Sequence, residues 1–230
     1  DLSFNLQIDD IKVPEQSNKG LQDFFKELEF NAFVTEEQVE KKVVEYRTLK
    51  SIDDLSMIEN LIHESKCFAF DTETTSINSL EAELVGVSFS FKANSGYYLP
   101  IAHQEKTAIS RDEALRWLKQ IIEASQDKVI GQNLKYDLQV LRNHQINIKR
   151  FHADTMLMSY SINSTASRHN LDALAEYYLN IKTIKFEDVI GKGKNKLKNF
   201  SEVPIKEATN YAAEDADITL QLYRTFETKI

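Results

Sequence analysis

The stretch Cys67-Phe68-Ala69-Phe70-Asp71-Thr72-Glu73 decides the reading of this chain. It is a short apolar run of strand length that ends in two acids one residue apart. Side chains two apart on a strand share a face, so Asp71 and Glu73 stand side by side at the strand end. Downstream, Leu84-Val85-Gly86-Val87-Ser88-Phe89-Ser90-Phe91 alternates as a half-buried strand does. Asn94-Ser95-Gly96 then turns the chain into Tyr97-Tyr98-Leu99-Pro100-Ile101. Three strands in succession predict an antiparallel meander.

Ser110 and Glu113 form a capping-box pattern ahead of Ala114, Leu115, Leu118, Ile121 and Ile122 at helical spacing. Lys128 to Gly131 reads as a strand, Leu134 to about Asn143 as a helix, and Ile148 to Ala153 as another strand. Helices fill most of the remainder, the last from about Pro204 to Glu227. The predicted class is α/β: a mixed sheet of three antiparallel strands plus two parallel ones, with helices packed on it. Toward the N-terminus, residues 1–50 read as an extension and linker with short helices. Leu21, Phe24, Phe25 and Leu28 mark one such helix, and the charge-rich 34–50 segment, with Val39, Val43 and Val44, reads as a linker or exposed helix. The helix from Ser51 to Glu64, capped by Ser51 or Asp53, then opens a domain over 51–230.

With 42% hydrophobic and 28% charged residues, the composition is that of an ordinary globular domain. No apolar run is long enough to span a membrane. Asp1-Leu2-Ser3-Phe4 lacks an initiator Met and any signal-peptide character, which suggests a processed protein or a fragment. The lone Cys67 fits a reducing cytoplasm and is expected to be a small buried hydrophobe. A net charge of -8 argues against a protein that coats duplex DNA, yet allows a local groove for a few nucleotides.

Acid-x-acid pairs arise by chance in a chain with 36 acids in 230 residues, so Asp71 and Glu73 alone carry little weight. Two further acids change this. Asp137 follows Gly131-Gln132-Asn133-Leu134-Lys135-Tyr136, just inside a helix after a buried strand. Asp215 lies in Tyr211-Ala212-Ala213-Glu214-Asp215-Ala216-Asp217, four residues from Tyr211 and on the same helix face. Glu214 and Asp217 are expected to face solvent. Two like charges about 4 Å apart repel by about 4 kcal/mol at an effective dielectric near 20, so convergence of these acids demands raised pKa values or bound cations. An all-oxygen set without His or Cys favours Mg²⁺ or Mn²⁺.

The three motifs together, with Leu84-Val85-Gly86-Val87-Ser88-Phe89, Asp154-Thr155-Met156-Leu157 and Gly191-Lys192-Gly193-Lys194-Asn195 between them, resemble the 3′–5′ exonuclease domain of bacterial DNA polymerase I. The resemblance covers residues 50–230 and implies a ribonuclease-H-like fold of the DEDD superfamily, Tyr subclass. It implies two divalent metal ions, Mg²⁺ or Mn²⁺, with Zn²⁺ admissible at one site. Asp71, Glu73 and Asp215 would hold one ion, and Asp71 with Asp137 the other. Tyr211 and Glu73 would orient the attacking water, because a phenol with a pKa near 10 is a poor base at neutral pH. Thr72, Gln132, Asn133 and Arg168 match substrate-contacting positions, and Ile77 stands where Leu usually wedges against the terminal base. Thr75 replaces a common acid and carries no assigned role.

The implied partner is the 3′ end of single-stranded DNA, with a polymerase domain elsewhere in a parent chain and the protein itself a monomer. A ribonuclease-D-like RNA trimmer uses the same acids and Tyr, and a silent structural or DNA-binding module is the alternative from another class. The complete set of acids argues for an active enzyme. Lys192, Lys194, Lys196 and Lys198 read either as a solvated loop or as contacts to the DNA backbone, and the glycine spacing excludes a P-loop. His103, His169 and Trp117 read as structural.

Overall fold

The computed structural model describes residues 24–25, 43–193 and 196–230. Of the N-terminal helix expected around Leu21, only Phe24 and Phe25 fall among these, and both are helical; the rest lies outside the described residues. Residues 43–230 form one compact unit built on a six-stranded mixed sheet.

The sheet strands are β1 (Glu45–Thr48), β2 (Phe68–Thr74), β3 (Leu84–Ser90), β4 (Ser95–Pro100), β5 (Val129–Gly131) and β6 (Ala153–Asp154), ordered β1-β4-β3-β2-β5-β6. The expected meander is present: β2 and β4 both run antiparallel to β3. The two expected parallel strands follow it, β5 beside β2 and β6 beside β5. Strand β6 is shorter than expected, since the chain from 148 to 152 carries no ladder.

The correction is β1. Residues 45–48, read as part of a linker or exposed helix, pair in parallel with β4, while Val43 and Val44 lie outside any helix and are exposed. Glu-Tyr-Arg-Thr has no apolar alternation, so its partners specify it rather than its own hydrophobicity. Thr48 Oγ1 lies 2.7 Å from Thr209 Oγ1, and the Leu49 N–H donates to the Tyr98 carbonyl at 2.8 Å.

Helix α1 (Ile52–Glu64) begins at Ser51 with a full capping box, whose N3 acid is Asp54. Helix α2 (Arg111–Ser125) begins at Ser110, whose hydroxyl accepts from the Glu113 N–H. These two pack with α3 (Leu134–Asn143) on one sheet face, around Phe68, Phe70, Phe89 and Trp117. Trp117 is buried there, its indole N–H donating to Glu59 Oε1 at 2.6 Å.

Helices α4 (Thr155–Ile162), α5 (Leu171–Leu174) and α6 (Phe186–Ile190) lead to the long α7 (Ile205–Glu227). Helix α7 crosses the other face, with Ala208, Ala212, Ala213, Ala216 and Leu220 fully or almost fully buried. The small side chains let it approach closely. A Cβ added at Gly96 of β4 would lie 2.5 Å from the Ala213 carbonyl oxygen, so only glycine fits beneath the helix there. Among the described residues, no helix is long and apolar enough to cross a membrane.

Asp217 differs from its expected place. It is fully buried, and its carboxylate accepts from the Tyr46 hydroxyl at 3.0 Å, the Asn94 N–H at 2.9 Å and Gln221 Nε2 at 2.9 Å. It therefore ties α7 to β1 and to the β3–β4 turn. Cys67 is only half-buried.

Candidate active site

Strand β2 alternates cleanly between the two layers. Phe68 and Phe70 enter the core beneath α1–α3, while Ala69 packs with Ala216 and Leu220 of α7. Asp71 and Glu73 continue the α7-facing row, where an acid carried by the helix can meet them. One carboxylate oxygen each from Asp71, Glu73 and Asp215 lies within 4.8 Å of the others.

The crowding has electrostatic consequences. Burial, and next the neighbouring Asp215, push the Asp71 carboxyl well above the usual range. Glu73 is raised by burial, then by Asp71, Asp215 and Asp137, and its Oε1 is buried without a hydrogen-bond partner. Asp215 is raised by burial, with the nearby Tyr211 phenol opposing the shift. Three acids in this state form a strong acceptor set with unmet demand for positive charge.

Asp137 is buried one layer away. Its Oδ1 accepts from Thr72 Oγ1 at 2.5 Å, and burial followed by repulsion from Asp71 raises its pKa. The structure thus brings Asp137 near the triad without adding it to the oxygen cluster. Thr72 points away from Asp71 and Glu73, so its hydroxyl serves Asp137. Beside it, the hydroxyls of Thr74 and Tyr136 lie 2.5 Å apart, and Tyr136 also donates to the Ser76 carbonyl.

Tyr211 sits one turn before Asp215, and its phenol favours the ionised form of that carboxylate. Its ring packs against Phe200 (centroids 5.8 Å apart) and edge-on to Phe186 (6.1 Å). Burial, and next the neighbouring Asp215, raise the phenol pKa above its ordinary value, so it keeps its proton at neutral pH. Glu214, expected in solvent, is half-buried, and its Oε2 accepts from the Ile184 N–H at 2.6 Å. Thr183 and Lys185 bind Asp172 at 2.6 and 2.9 Å, and the same segment runs into Phe186.

The remaining expected residues surround this cluster unevenly. Ile77 is 96% exposed, on a loop anchored by Asn143 Nδ2 donating to the Ser79 carbonyl at 2.8 Å. Thr75 has a local task, its hydroxyl accepting from the Glu83 N–H at 3.0 Å. Asn133 is exposed at the start of α3, in a left-handed conformation with φ 64°. Gln132 is half-buried and engaged at both ends: Oε1 accepts from Thr155 at 2.5 Å and Nε2 donates to the His169 carbonyl at 2.9 Å. Arg168 is exposed beside it.

His103 bridges the Tyr98 hydroxyl and the Val203 carbonyl, while His169 binds Ser159 and stacks on Tyr160. Lys192 pairs with Glu187 at 3.1 Å, and Lys194 lies outside the described residues. Sequence reading missed the aromatic packing on Tyr211 and the part played by Asp154. For the latter a signal existed, because Asp-Thr ahead of an apolar run is an N-cap pattern.

Comparison with known proteins places the chain in a family. A protein-family model described as 3′–5′ exonuclease matches residues 46–230. The chain is 36% identical to DNA polymerase I of Pseudomonas aeruginosa, over all of the chain and 27% of that protein. It is 36% identical to DNA polymerase I of Borreliella burgdorferi, over 96% of the chain and 24% of that protein. The chain thus spans about a quarter of the length of these relatives. Among solved structures, the EXO domain of Aedes aegypti Nibbler aligns with TM-score 0.59 at 14% identity, covering 85% of this chain and 92% of that one. Brucella melitensis NrnC aligns with TM-score 0.55 at 18% identity, covering 81% of each chain. At such identities these likenesses speak to the fold, a ribonuclease-H-like sheet with helices on both faces.

Proposed function

Since the chain belongs to the 3′–5′ exonuclease family, as the domain found within bacterial DNA polymerase I, we propose that it removes nucleotides from the 3′ end of single-stranded DNA and releases 5′-mononucleotides. The observation that carries the reading is the cluster of Asp71, Glu73 and Asp215 oxygens beside the Tyr211 phenol.

The donor set fits divalent cations. It is all oxygen, its charges repel one another, and Glu73 Oε1 is buried without a partner. Asp71, Glu73 and Asp215 would hold one ion, and Asp137 with Asp71 a second. Bound there, Mg²⁺ or Mn²⁺ supplies Lewis-acid polarisation of the phosphate and activation of water.

The chain's own residues do the rest. Tyr211 keeps its proton, so it orients the attacking water through its hydroxyl rather than acting as a base, and Glu73 faces the same water. Thr72 holds Asp137. Ile77 offers an apolar surface to the terminal base. Asn133, Arg168 and the second amide hydrogen of Gln132 remain to contact the last nucleotides. The catalytic domain extends from β1, and its proofreading role belongs to a parent chain that also carries a polymerase domain.

The test is digestion of a 5′-labelled single-stranded DNA oligonucleotide with Mg²⁺, Mn²⁺ or EDTA, beside RNA of the same sequence. A metal-dependent ladder shortening from the DNA 3′ end is expected. A ladder on RNA alone would replace the substrate assignment, and no ladder with either metal would overturn the reading.

A further inference from the structure

Asp154 ends β6 opposite Gly131, its register partner at the end of β5. The residue is 6% exposed, and its carboxylate receives backbone N–H groups from two different helices. Oδ1 accepts from Met156 at 2.9 Å and Leu157 at 3.3 Å, the ordinary N-cap of α4. The same oxygen accepts from Asn133 at 3.2 Å, and Oδ2 accepts from Leu134 at 2.8 Å. These last two belong to the start of α3, the helix that carries Asp137.

Helix α3 has no cap of its own. Asn133 occupies its N-cap position in a left-handed conformation, and its side chain makes no capping hydrogen bond. The orphan N–H groups of that first turn are served instead by a carboxylate on the neighbouring strand. Thr155 extends the tie, its hydroxyl lying 3.1 Å from the Gly131 carbonyl and 2.5 Å from Gln132 Oε1. Gln132 in turn holds the His169 carbonyl, next to Arg168.

We infer that Asp154 is a positioning residue for the nuclease reaction: it fixes where α3 begins, and so sets Asp137 against Thr72 and presents Asn133 at the surface. Asp137 lies within one turn of the capped end, so a shift of that end reaches its carboxylate undiminished. The inference rests on the function proposed above.

The test compares Asp154→Ser and Asp154→Asn with the wild-type chain. Serine still caps α4, but its shorter side chain does not reach Leu134. Asparagine keeps the Oδ1 contacts and sets an amide N–H₂ against the Leu134 N–H. Thermal melting, Mn²⁺ binding by calorimetry, and kcat and KM on single-stranded DNA are measured for each. Both variants should bind Mn²⁺ about tenfold or more weakly, the scale of lost outer support at a metal site. Their kcat should fall by a similar factor, with KM changing less.

A serine variant that loses only melting temperature, with Mn²⁺ affinity and kcat unchanged, overturns the inference. Should serine fail to fold, asparagine decides by the same two readouts. Wild-type protein that neither binds Mn²⁺ nor cleaves DNA counts against the proposed function instead.

Discussion

Tyr211 and Asp215 stand one turn apart on α7, and the nearby phenol favours the ionised form of the Asp215 carboxylate. Burial first, and then Asp215, Glu73 and Asp71, raise the phenol pKa, so Tyr211 stays protonated at neutral pH. Replacement by Phe removes the hydroxyl and leaves the ring between Phe200 and Phe186. We expect Tyr211→Phe to lower kcat by about 100-fold, the scale of a misplaced reactant. The pH–rate profile should keep its shape between about pH 6 and pH 10. Loss of an alkaline limb in the variant would make Tyr211 the base.

The acids predict an inverted pH dependence for the metal-free protein. The folded pKa values of Asp71, Glu73, Asp137 and Asp215 all lie above their unfolded values, through burial first in every case. Their contribution is therefore most favourable below the unfolded value near 4 and is lost as pH rises through the folded values. Asp71→Asn should abolish cleavage and raise the melting temperature at neutral pH in EDTA, because the neutral amide carries no buried charge to repel Asp215. No such gain is expected at acid pH. Scanning calorimetry at the two pH values checks both halves.

Mg²⁺ or Mn²⁺ should stabilise the wild-type chain by about 2.7 kcal/mol at a hundred times the dissociation constant. The Asp71→Asn variant should lose most of that gain. Melting curves with and without EDTA measure it.

Ile77 is almost wholly exposed on an anchored loop, so Ile77→Ala should change stability by no more than about 0.5 kcal/mol. Cleavage should still change. The ratio of rates on frayed and fully paired 3′ ends is expected to shift, and an unchanged ratio would remove Ile77 from the substrate site.

Asp217 lies within two residues of Asp215 but belongs to the scaffold. Asp217→Ala takes the acceptor from the half-buried Tyr46 hydroxyl and Asn94 N–H, at a cost of about 1 kcal/mol for each bond lost. Denaturant unfolding should show the loss, with residual activity per folded molecule close to wild type.

The sequence carried the meander and the parallel pair because β2 and β3 are apolar and of strand length, and α7 was visible because its small and apolar residues recur at helical spacing. Strand β1 was not legible, since Glu45-Tyr46-Arg47-Thr48 takes its conformation from β4 and α7 rather than from its own pattern. Asp217 was misplaced for a related reason. An acid is assigned to solvent unless its partners are known, and here they come from 171 and 123 residues away. The position of Asp71, Glu73 and Asp215 as neighbours depended on three motifs read together. Asp154 held its place in plain view as an N-cap, but its reach across to α3 is a property of adjacent strand ends.

Asp71 and Glu73 ride on the sheet, and Asp215 rides on the helix above it. The gap between their carboxylates is therefore a distance between layers, gauged where Ala213 rests on Gly96. A single methyl group on that strand, which bears none of the acids, would jack the helix upward and widen the jaw. The size of ion that the proposed site would hold is thus written partly in a missing side chain.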